Sequence, residues 1–293
     1  MFKRIKELDI VKSCHQGKVR DIFDLGETLL IVTSDRVSAF DVVFSQTLPG
    51  KGAILNQIAV HVFKVSSGLL PNHFITDDVD AYPAALQPFK EYLKDRSMLV
   101  KKLEIIPFEC IVRGYLSGSA FAEYKVSHSI GGLELPAGMQ ESEQFPQALF
   151  TPSTKAEEGH DENISFQQMR DSMDPASADL ARKYALELYD WAYRKLKEKG
   201  IILADTKFEF GLLGGELTLA DEALTPDSSR FWDLGQYTVG KTPASFDKQI
   251  IRDYLIEIGW NKQPPAPVLP PQIIEKTMDR YCRVRDIILG GLD

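Results

Sequence analysis

The 293-residue chain has little of what marks a secreted or membrane-bound protein. Its three cysteines, Cys14, Cys110 and Cys282, are odd in number, widely separated and without a C-x-x-C pair, so a disulfide scaffold is excluded and a reducing compartment is expected. The opening residues, Met-Phe-Lys-Arg-Ile-Lys-Glu-Leu-Asp, lack the apolar core of a leader peptide, and no run approaches about 18 uncharged apolar residues. Together these absences predict a cytoplasmic protein with no membrane partner. Cationic excess is also lacking: 34 Lys and Arg stand against 42 Asp and Glu, a net charge of -8, which argues against a general nucleic-acid binder. A polyanionic small molecule stays compatible with that charge if the cations gather in one cleft.

Several catalytic signatures are missing as well. There is no G-x-x-x-x-G-K-[ST] phosphate loop, no G-x-S-x-G elbow and no Ser/His/Asp arrangement, which argues against a P-loop enzyme and a covalent hydrolase. His160-Asp161-Glu162 has no second histidine at ligand spacing, so it reads as a solvated loop and not as a structural zinc site. No internal repeat occurs, and the only compositionally biased tract is the proline-rich stretch from Pro264 to Pro271.

What remains is ordinary globular composition, with 44% hydrophobic and 26% charged residues, over a length that suits two lobes. Short strands are expected at Lys18 to Asp24, Leu29 to Ser34 and Met98 to Leu103, with a helix around Leu55 to Ser66, giving a β-rich lobe over residues 1–104. The apolar run Ile105 to Arg113 reads as a buried strand whose only charges are Glu109 and Arg113. Asp174-Pro175 should cap a helix that keeps helical spacing until Gly200, and it leads into a strand that turns back at Gly214-Gly215. Ser245 is expected to cap a further helix through Ile258, and a last helix, Ile273 to Leu289, follows the proline stretch. Residues 105–293 thus form a second, α/β lobe.

The strand after Gly200 carries the strongest chemical signal. In Leu203-Ala-Asp-Thr-Lys-Phe-Glu-Phe210, Asp205, Lys207 and Glu209 alternate and share one face, while Ala204, Thr206, Phe208 and Phe210 share the other. Carboxylates flanking an ammonium suit metal and phosphate chemistry, although a solvated sheet face shows the same alternation. Asp221, at the end of the returning strand, would complete a Mg²⁺ pair with Glu209. A symmetric two-residue turn pairs Phe208 with Asp221, so a one-residue shift is expected in this hairpin.

Four other stretches carry polar chemistry, the first three with a structural alternative. Gly17-Lys-Val-Arg-Asp-Ile-Phe23 puts Lys18 and Arg20 on one face of an expected strand, where they would cover phosphates or simply face solvent. Asp35, Arg36 and Ser38 in Thr33-Ser-Asp-Arg-Val-Ser-Ala-Phe-Asp41 would receive a small zwitterion or form a local pair and cap. Val112-Arg-Gly-Tyr-Leu-Ser-Gly-Ser-Ala120 offers Arg113 and Ser119 at a helix start, an anion site or plain capping. Ala220-Asp-Glu-Ala-Leu-Thr-Pro-Asp-Ser-Ser-Arg230 ends in an arginine after two adjacent acids.

These stretches, with Thr151-Pro-Ser-Thr-Lys155, occur in the order found in the SAICAR synthetase family of purine biosynthesis, which the chain resembles from about residue 10 to 260. Phe23 stands where a tyrosine is expected, a conservative departure. The resemblance implies an α+β fold with an antiparallel β-rich N-terminal lobe, an α/β C-terminal lobe and ATP in the cleft between them. It implies an ATP-dependent ligase that joins L-aspartate to carboxyaminoimidazole ribonucleotide (CAIR), with a small-molecule kinase as the alternative. By the same resemblance Gly17, Lys18, Val19, Arg20, Lys102, Leu103 and Glu109 would meet ATP, and Glu209 and Asp221 would hold Mg²⁺. Arg113, Ser119, Asp205 and Arg230 would hold the ribonucleotide, Asp205 and Lys207 would act in catalysis, and Asp35, Arg36, Ser38 and Lys248 would take aspartate.

Overall fold

The computed structural model describes residues 1–40, 42–155 and 162–292. His160 and Asp161 therefore lie outside the described residues, whereas the Glu162 amide donates to Thr154 Oγ1 at 3.2 Å. Two antiparallel sheets organise the chain in a mixed α+β fold. The first has the order Ser13–Gln16, Arg20–Asp24, Thr28–Thr33, Ser97–Lys101, Phe74–Thr76. The second runs Gln144–Phe150, Phe108–Tyr115, Ile201–Leu213, Glu216–Ala220, with Ser229–Asp233 and Glu104–Ile105 also paired to Ile201–Leu213. Among the described residues no helix is long and apolar enough to cross a membrane.

Ile201–Leu213 is the central strand, and its residues from Ile201 to Phe210 are buried apart from half-buried Lys207. It is enclosed because strands pair with it on both edges and the helix Pro175–Glu198 packs on one face, burying Ala178, Ala181, Ala185, Leu188 and Ala192. That helix starts as its sequence dictates. Asp174 accepts from the Ser177 amide at 2.8 Å, Pro175 occupies the first turn, and Gly200, at φ 80°, ends it.

Four local expectations need correction. The hairpin turn is symmetric, with Leu213 opposite Glu216 and Glu209 opposite Ala220, so the expected one-residue shift is absent. Asp221 itself adopts φ 60°, a left-handed conformation that an aspartate tolerates, and this redirects the chain where the ladder stops. Gly17, Lys18 and Val19 form a turn and not a strand: the Gly17 amide donates to the Arg20 carbonyl at 2.8 Å, and the strand begins only at Arg20. Lys18 and Arg20 therefore do not share a strand face. The first long helix is Lys51–Val65, four residues longer at its start than its apolar periodicity suggested. Ser245 caps no helix, since Gln249–Glu257 begins after Lys248 and the Ser245 hydroxyl donates to the Phe231 carbonyl at 3.2 Å.

The proline stretch is fastened down. Gln46 Nε2 donates to the Leu269 carbonyl at 3.1 Å, and the Leu269 amide donates back to Gln46 Oε1 at 2.5 Å. The last helix, Pro271–Leu289, then buries Tyr281, Val284 and Ile288 and packs against Lys51–Val65. One hydrophobic core runs through Ile54, Ile58 and Met98 on to Phe208, Phe210 and Val284, joining residues on both sides of position 104.

Gly114 shows how tightly the sheet sits on its helix, because a Cβ there would lie 1.9 Å from the Tyr189 hydroxyl. That hydroxyl donates to the Leu203 carbonyl of the central strand at 2.8 Å. Gly114→Ala must displace Tyr189 and break this buried bond, which should cost about 1–3 kcal/mol, or several degrees in Tm. Thermal denaturation of the variant measures it, and an unchanged Tm would show that the ring yields freely.

Candidate active site

The central strand turns three charges toward the cleft, and each has found partners. Asp205 lies opposite Arg113 on one neighbouring strand and Arg230 on the other. Its Oδ2 accepts from Arg230 Nη1 and, at 3.3 Å, from Ser117 Oγ, with Arg113 Nη1 at 3.7 Å. Arg113 is only 2% exposed, and its Nε donates to Thr151 Oγ1 at 2.9 Å. Burial depresses the Arg113 pKa, whereas the Asp205 carboxylate raises that of Arg230. Gly118 makes room for this pairing, since a Cβ there would stand 2.3 Å from Arg230 Nη2. Two guanidiniums around one carboxylate leave a positive excess suited to a phosphate or carboxylate ligand. They line a hollow together with Ser119, Lys207, Asp227, Asp247 and Arg252.

Lys207 lies between two acids, with Nζ 2.6 Å from Glu109 Oε1 and 3.7 Å from Glu209 Oε1. Burial opposes its charge, but the two carboxylates outweigh burial and raise its pKa. Glu109 also accepts from Ser153 Oγ at 3.2 Å, so this expected ATP contact holds Lys207 in place. Glu209 accepts from Lys155 Nζ at 2.5 Å; burial acts against its ionisation, and Lys207 and Lys155 overcome that and keep its pKa low.

Beyond Glu209, Arg20 donates from Nη1 to Asp221 at 2.8 Å and from Nη2 to Glu222 at 2.6 Å. Burial drives the Asp221 carboxyl up to about 6, opposed by Arg20 and reinforced by the nearby Glu209 and Glu222 carboxylates. Glu209 and Asp221 thus reach the same end of the cleft through the left-handed turn at Asp221, without the expected shift of register. Mutually repelling carboxylates fit a cation. Among the described residues, however, no group of three or more His, Cys, Asp or Glu side chains is arranged to hold a metal ion. Two carboxylates fit Mg²⁺ that takes its remaining ligands from phosphate and water.

An apolar slot opens from this acidic end, walled by Ile22, Leu29, Ile31, Leu103 and Ile105, with Lys101, Lys155, Glu209 and Asp221 at its edges. Lys102 points its charge elsewhere, to Asp24 at 2.7 Å. The turn Gly17-Lys18-Val19 is clipped from below: Arg36 donates to the Gly17 and Lys18 carbonyls at 3.0 and 3.1 Å and binds Asp21 at 2.6 Å, while Ser34 Oγ donates to the Val19 carbonyl at 2.7 Å. Asp35 accepts from the Gly52 amide at 2.9 Å, and Ser38 is half-buried in the short strand Arg36–Ala39. Lys248 binds Asp227 at 3.1 Å, which also holds Lys51 at 2.7 Å and accepts from the Tyr281 hydroxyl at 3.0 Å.

Sequence reasoning missed Lys155, Lys51, Glu222, Asp227 and Arg252. Arg252 had a local signal, standing one helical turn after Lys248, and Lys155 ends a stretch already singled out. Lys51 had none, because its partner Asp227 is 176 positions away in the chain.

The model of the SAICAR synthetase family matches residues 13–267. Phosphoribosylaminoimidazole-succinocarboxamide synthase from Pelobacter propionicus is 52% identical over 281 residues, 96% of this chain and 95% of that protein. The protein of that name from Syntrophotalea carbinolica is 53% identical with the same coverage. In three dimensions, the SAICAR synthase of Saccharomyces cerevisiae, solved in complex with SAICAR, superposes with a TM-score of 0.88 at 40% identity, covering 97% of each chain.

Asp205 provides a direct test of the charge arrangement. Asp205→Asn strips the buried Arg113 and its neighbour Arg230 of their shared counter-charge and should destabilise the fold by about 3–5 kcal/mol, read by chemical denaturation. A loss below about 1 kcal/mol would mean that Thr151 and solvent suffice for the arginines.

Proposed function

The chain belongs to the SAICAR synthetase family, and from that premise we propose how its cleft performs the reaction. The protein is an ATP-dependent ligase that condenses CAIR with L-aspartate to give SAICAR, ADP and phosphate. The family match sets aside the small-molecule kinase alternative. The buried strand face Asp205, Lys207 and Glu209, with its cross-strand partners, is the observation that carries the assignment to this cleft. Residues 1–104 cover the nucleotide in this reading, and residues 105–293 carry the substrate and the acids. The free thiols of Cys14, Cys110 and Cys282 support a cytoplasmic setting.

The adenine base occupies the apolar slot, docked on backbone at Lys102 and Leu103, and its phosphates run toward Arg20, Lys155 and Lys207 under the turn Gly17-Lys18-Val19. Arg36 and Ser34 shape that turn by holding its carbonyls. Glu209 and Asp221 would hold Mg²⁺, which when bound offsets phosphate charge. Arg113, Ser119 and Arg230 bind the ribonucleotide through its phosphate or carboxylate, and Asp205 accepts from its imidazole amine or ribose. These contacts bring a CAIR carboxylate oxygen in line with the γ-phosphorus, where Lys207 faces the transferring group.

A carboxylate is a poor acyl donor, and phosphorylation solves this. The carboxylate oxygen bonds to the γ-phosphorus as the bond to ADP breaks, giving an acyl phosphate. The neutral aspartate amine then adds to the carbonyl carbon, the C–O bond breaks to release phosphate, and the nitrogen loses a proton. Lys248, beside the same hollow, is the candidate for an aspartate carboxylate. Asp35 and Arg36 are already bound within the protein and act by shaping the site, with Ser38 beside them.

With ATP, Mg²⁺ and CAIR, phosphate should be released only when aspartate is the added amino acid. Release driven by a sugar or alcohol would overturn the ligase reading. Glu209→Gln should lower turnover by about 100-fold and raise the Mg²⁺ concentration required, with cooperative unfolding retained. Unaltered Mg²⁺ dependence would remove Glu209 from the metal site.

A further inference from the structure

Tyr281 is a buried titratable group to which the reaction above gives no task. It sits fully buried on the last helix, and its hydroxyl donates to Asp227 Oδ1 at 3.0 Å. Burial, reinforced by the Asp227 charge, pushes its pKa well above that of a free phenol, so the group stays neutral and acts as a donor. Tyr281 does not itself line the hollow that holds Arg113 and Arg230, but Asp227 does. Any effect on the substrate must therefore pass through that carboxylate.

Asp227 has two other partners, one on each oxygen. Lys51 Nζ donates to Oδ2 at 2.7 Å, and Lys248 Nζ lies 3.1 Å from Oδ1, the oxygen that Tyr281 shares. The two lysines differ in what they can reach. Lys51 is sealed in the interior, where burial pulls its pKa down and Asp227 holds it up, so it serves the carboxylate alone. Lys248 keeps 8% of its surface open, and an ammonium with three donors has some to spare for a ligand. A carboxylate oxygen that also accepts from a phenol attracts Lys248 less than a bare one would. The phenol further fixes the rotation of the carboxylate, keeping Oδ2 on Lys51 and Oδ1 toward Lys248.

We infer that Tyr281 is a positioning residue for the amino-acid substrate: by holding Asp227, it sets Lys248 with its charge available to a carboxylate of L-aspartate. The last helix, without reaching the hollow, in this way tunes the affinity for one substrate of the three. The inference rests on the assignment of Lys248 to aspartate.

Steady-state kinetics of the full chain, with ATP, CAIR and aspartate varied one at a time, tests it. Tyr281→Phe removes one oxygen and keeps the ring in the core. It should raise the aspartate KM about 5- to 10-fold and leave kcat and the other two KM values within about twofold. Lys248→Met should raise the aspartate KM about 10- to 100-fold. Adding Tyr281→Phe to Lys248→Met should then change it by less than about twofold, because the hydroxyl has no ammonium left to set. Equal rises in all three KM values, or effects that multiply in the double variant, are what a merely structural role gives and overturn the inference. Ile288→Ala, about two turns further along the same helix, should lower Tm and leave the aspartate KM within about twofold. A rise there matching that of Tyr281→Phe overturns the inference too. If Lys248→Met leaves the aspartate KM unchanged, the assignment of Lys248 falls and the inference with it, even if Tyr281→Phe fails to fold. If Lys248→Met raises it and a folded Tyr281→Phe protein does not, the role of Tyr281 falls alone.

Discussion

The site depends on neutralising the charges that the central strand carries into the interior. Asp205 and Glu209 are each 6% exposed, and a carboxylate so buried without a partner would cost several kcal/mol or give up its charge. Arg113 and Arg230 answer Asp205, while Lys155 and Lys207 answer Glu209. Because strand side chains alternate, a slip of one residue would turn these charges onto the helix Pro175–Glu198 and bring Phe208 and Phe210 into the cleft. The register that stabilises the sheet is therefore the register that builds the site. Neither can drift without exposing or stranding the other.

An acidic protein can bind polyanions in two ways. One is a cleft of bare cations, which would suit phosphates but would repel itself when empty. The arrangement here differs from that expectation, because nearly every cation in the cleft is already tied to a carboxylate: Arg20 to Asp221 and Glu222, Lys207 to Glu109, Lys51 and Lys248 to Asp227. Such pairs fix the cations before a ligand arrives, so less side-chain freedom is lost on binding. The excess of acid over base in the composition is thus partly spent on orienting the bases.

The sequence displayed the elements whose signals are local. Alternation revealed the central strand, Asp174-Pro175 and Gly200 bounded the helix before it, and Gly214-Gly215 marked the hairpin, both glycines lying at positive φ. Order along the chain placed the charged stretches in a family. Pairings between distant segments stayed hidden, since Arg20 meets Asp221 across 201 positions and no spacing rule spans such a gap. The approach of Asp221 to Glu209 was sought in a one-residue shift of the hairpin, whereas a single left-handed residue achieves it, and an aspartate at φ 60° looks in sequence like any other aspartate. Arg36 read as a ligand residue because polar side chains in the loop at a strand end often are. Its three anchors, the Gly17 and Lys18 carbonyls and Asp21, become visible only when the strand Arg36–Ala39 is brought beside the turn and strand that precede it by some 15 to 19 positions.

The segment from Asp221 to Arg230 joins the two halves of the chemistry. Its first residues face the nucleotide end through Arg20, and its last residue grips Asp205 at the ribonucleotide end. Between them the Thr225 hydroxyl donates to Glu222 at 2.7 Å, and the Asp227 amide donates to Thr225 Oγ1 at 3.2 Å. Asp227 then receives Lys51, Lys248 and Tyr281, from an early helix, the segment before a late helix, and the last helix. Unbroken hydrogen bonds therefore run from Tyr281 through Asp227, Thr225 and Glu222 to Arg20. A buried carboxylate with three donors is held more firmly than any surface pair, because losing one donor strands charge in the interior. The C-terminal helix, none of whose own residues lines either proposed ligand site, is in this way part of what holds both at a fixed separation.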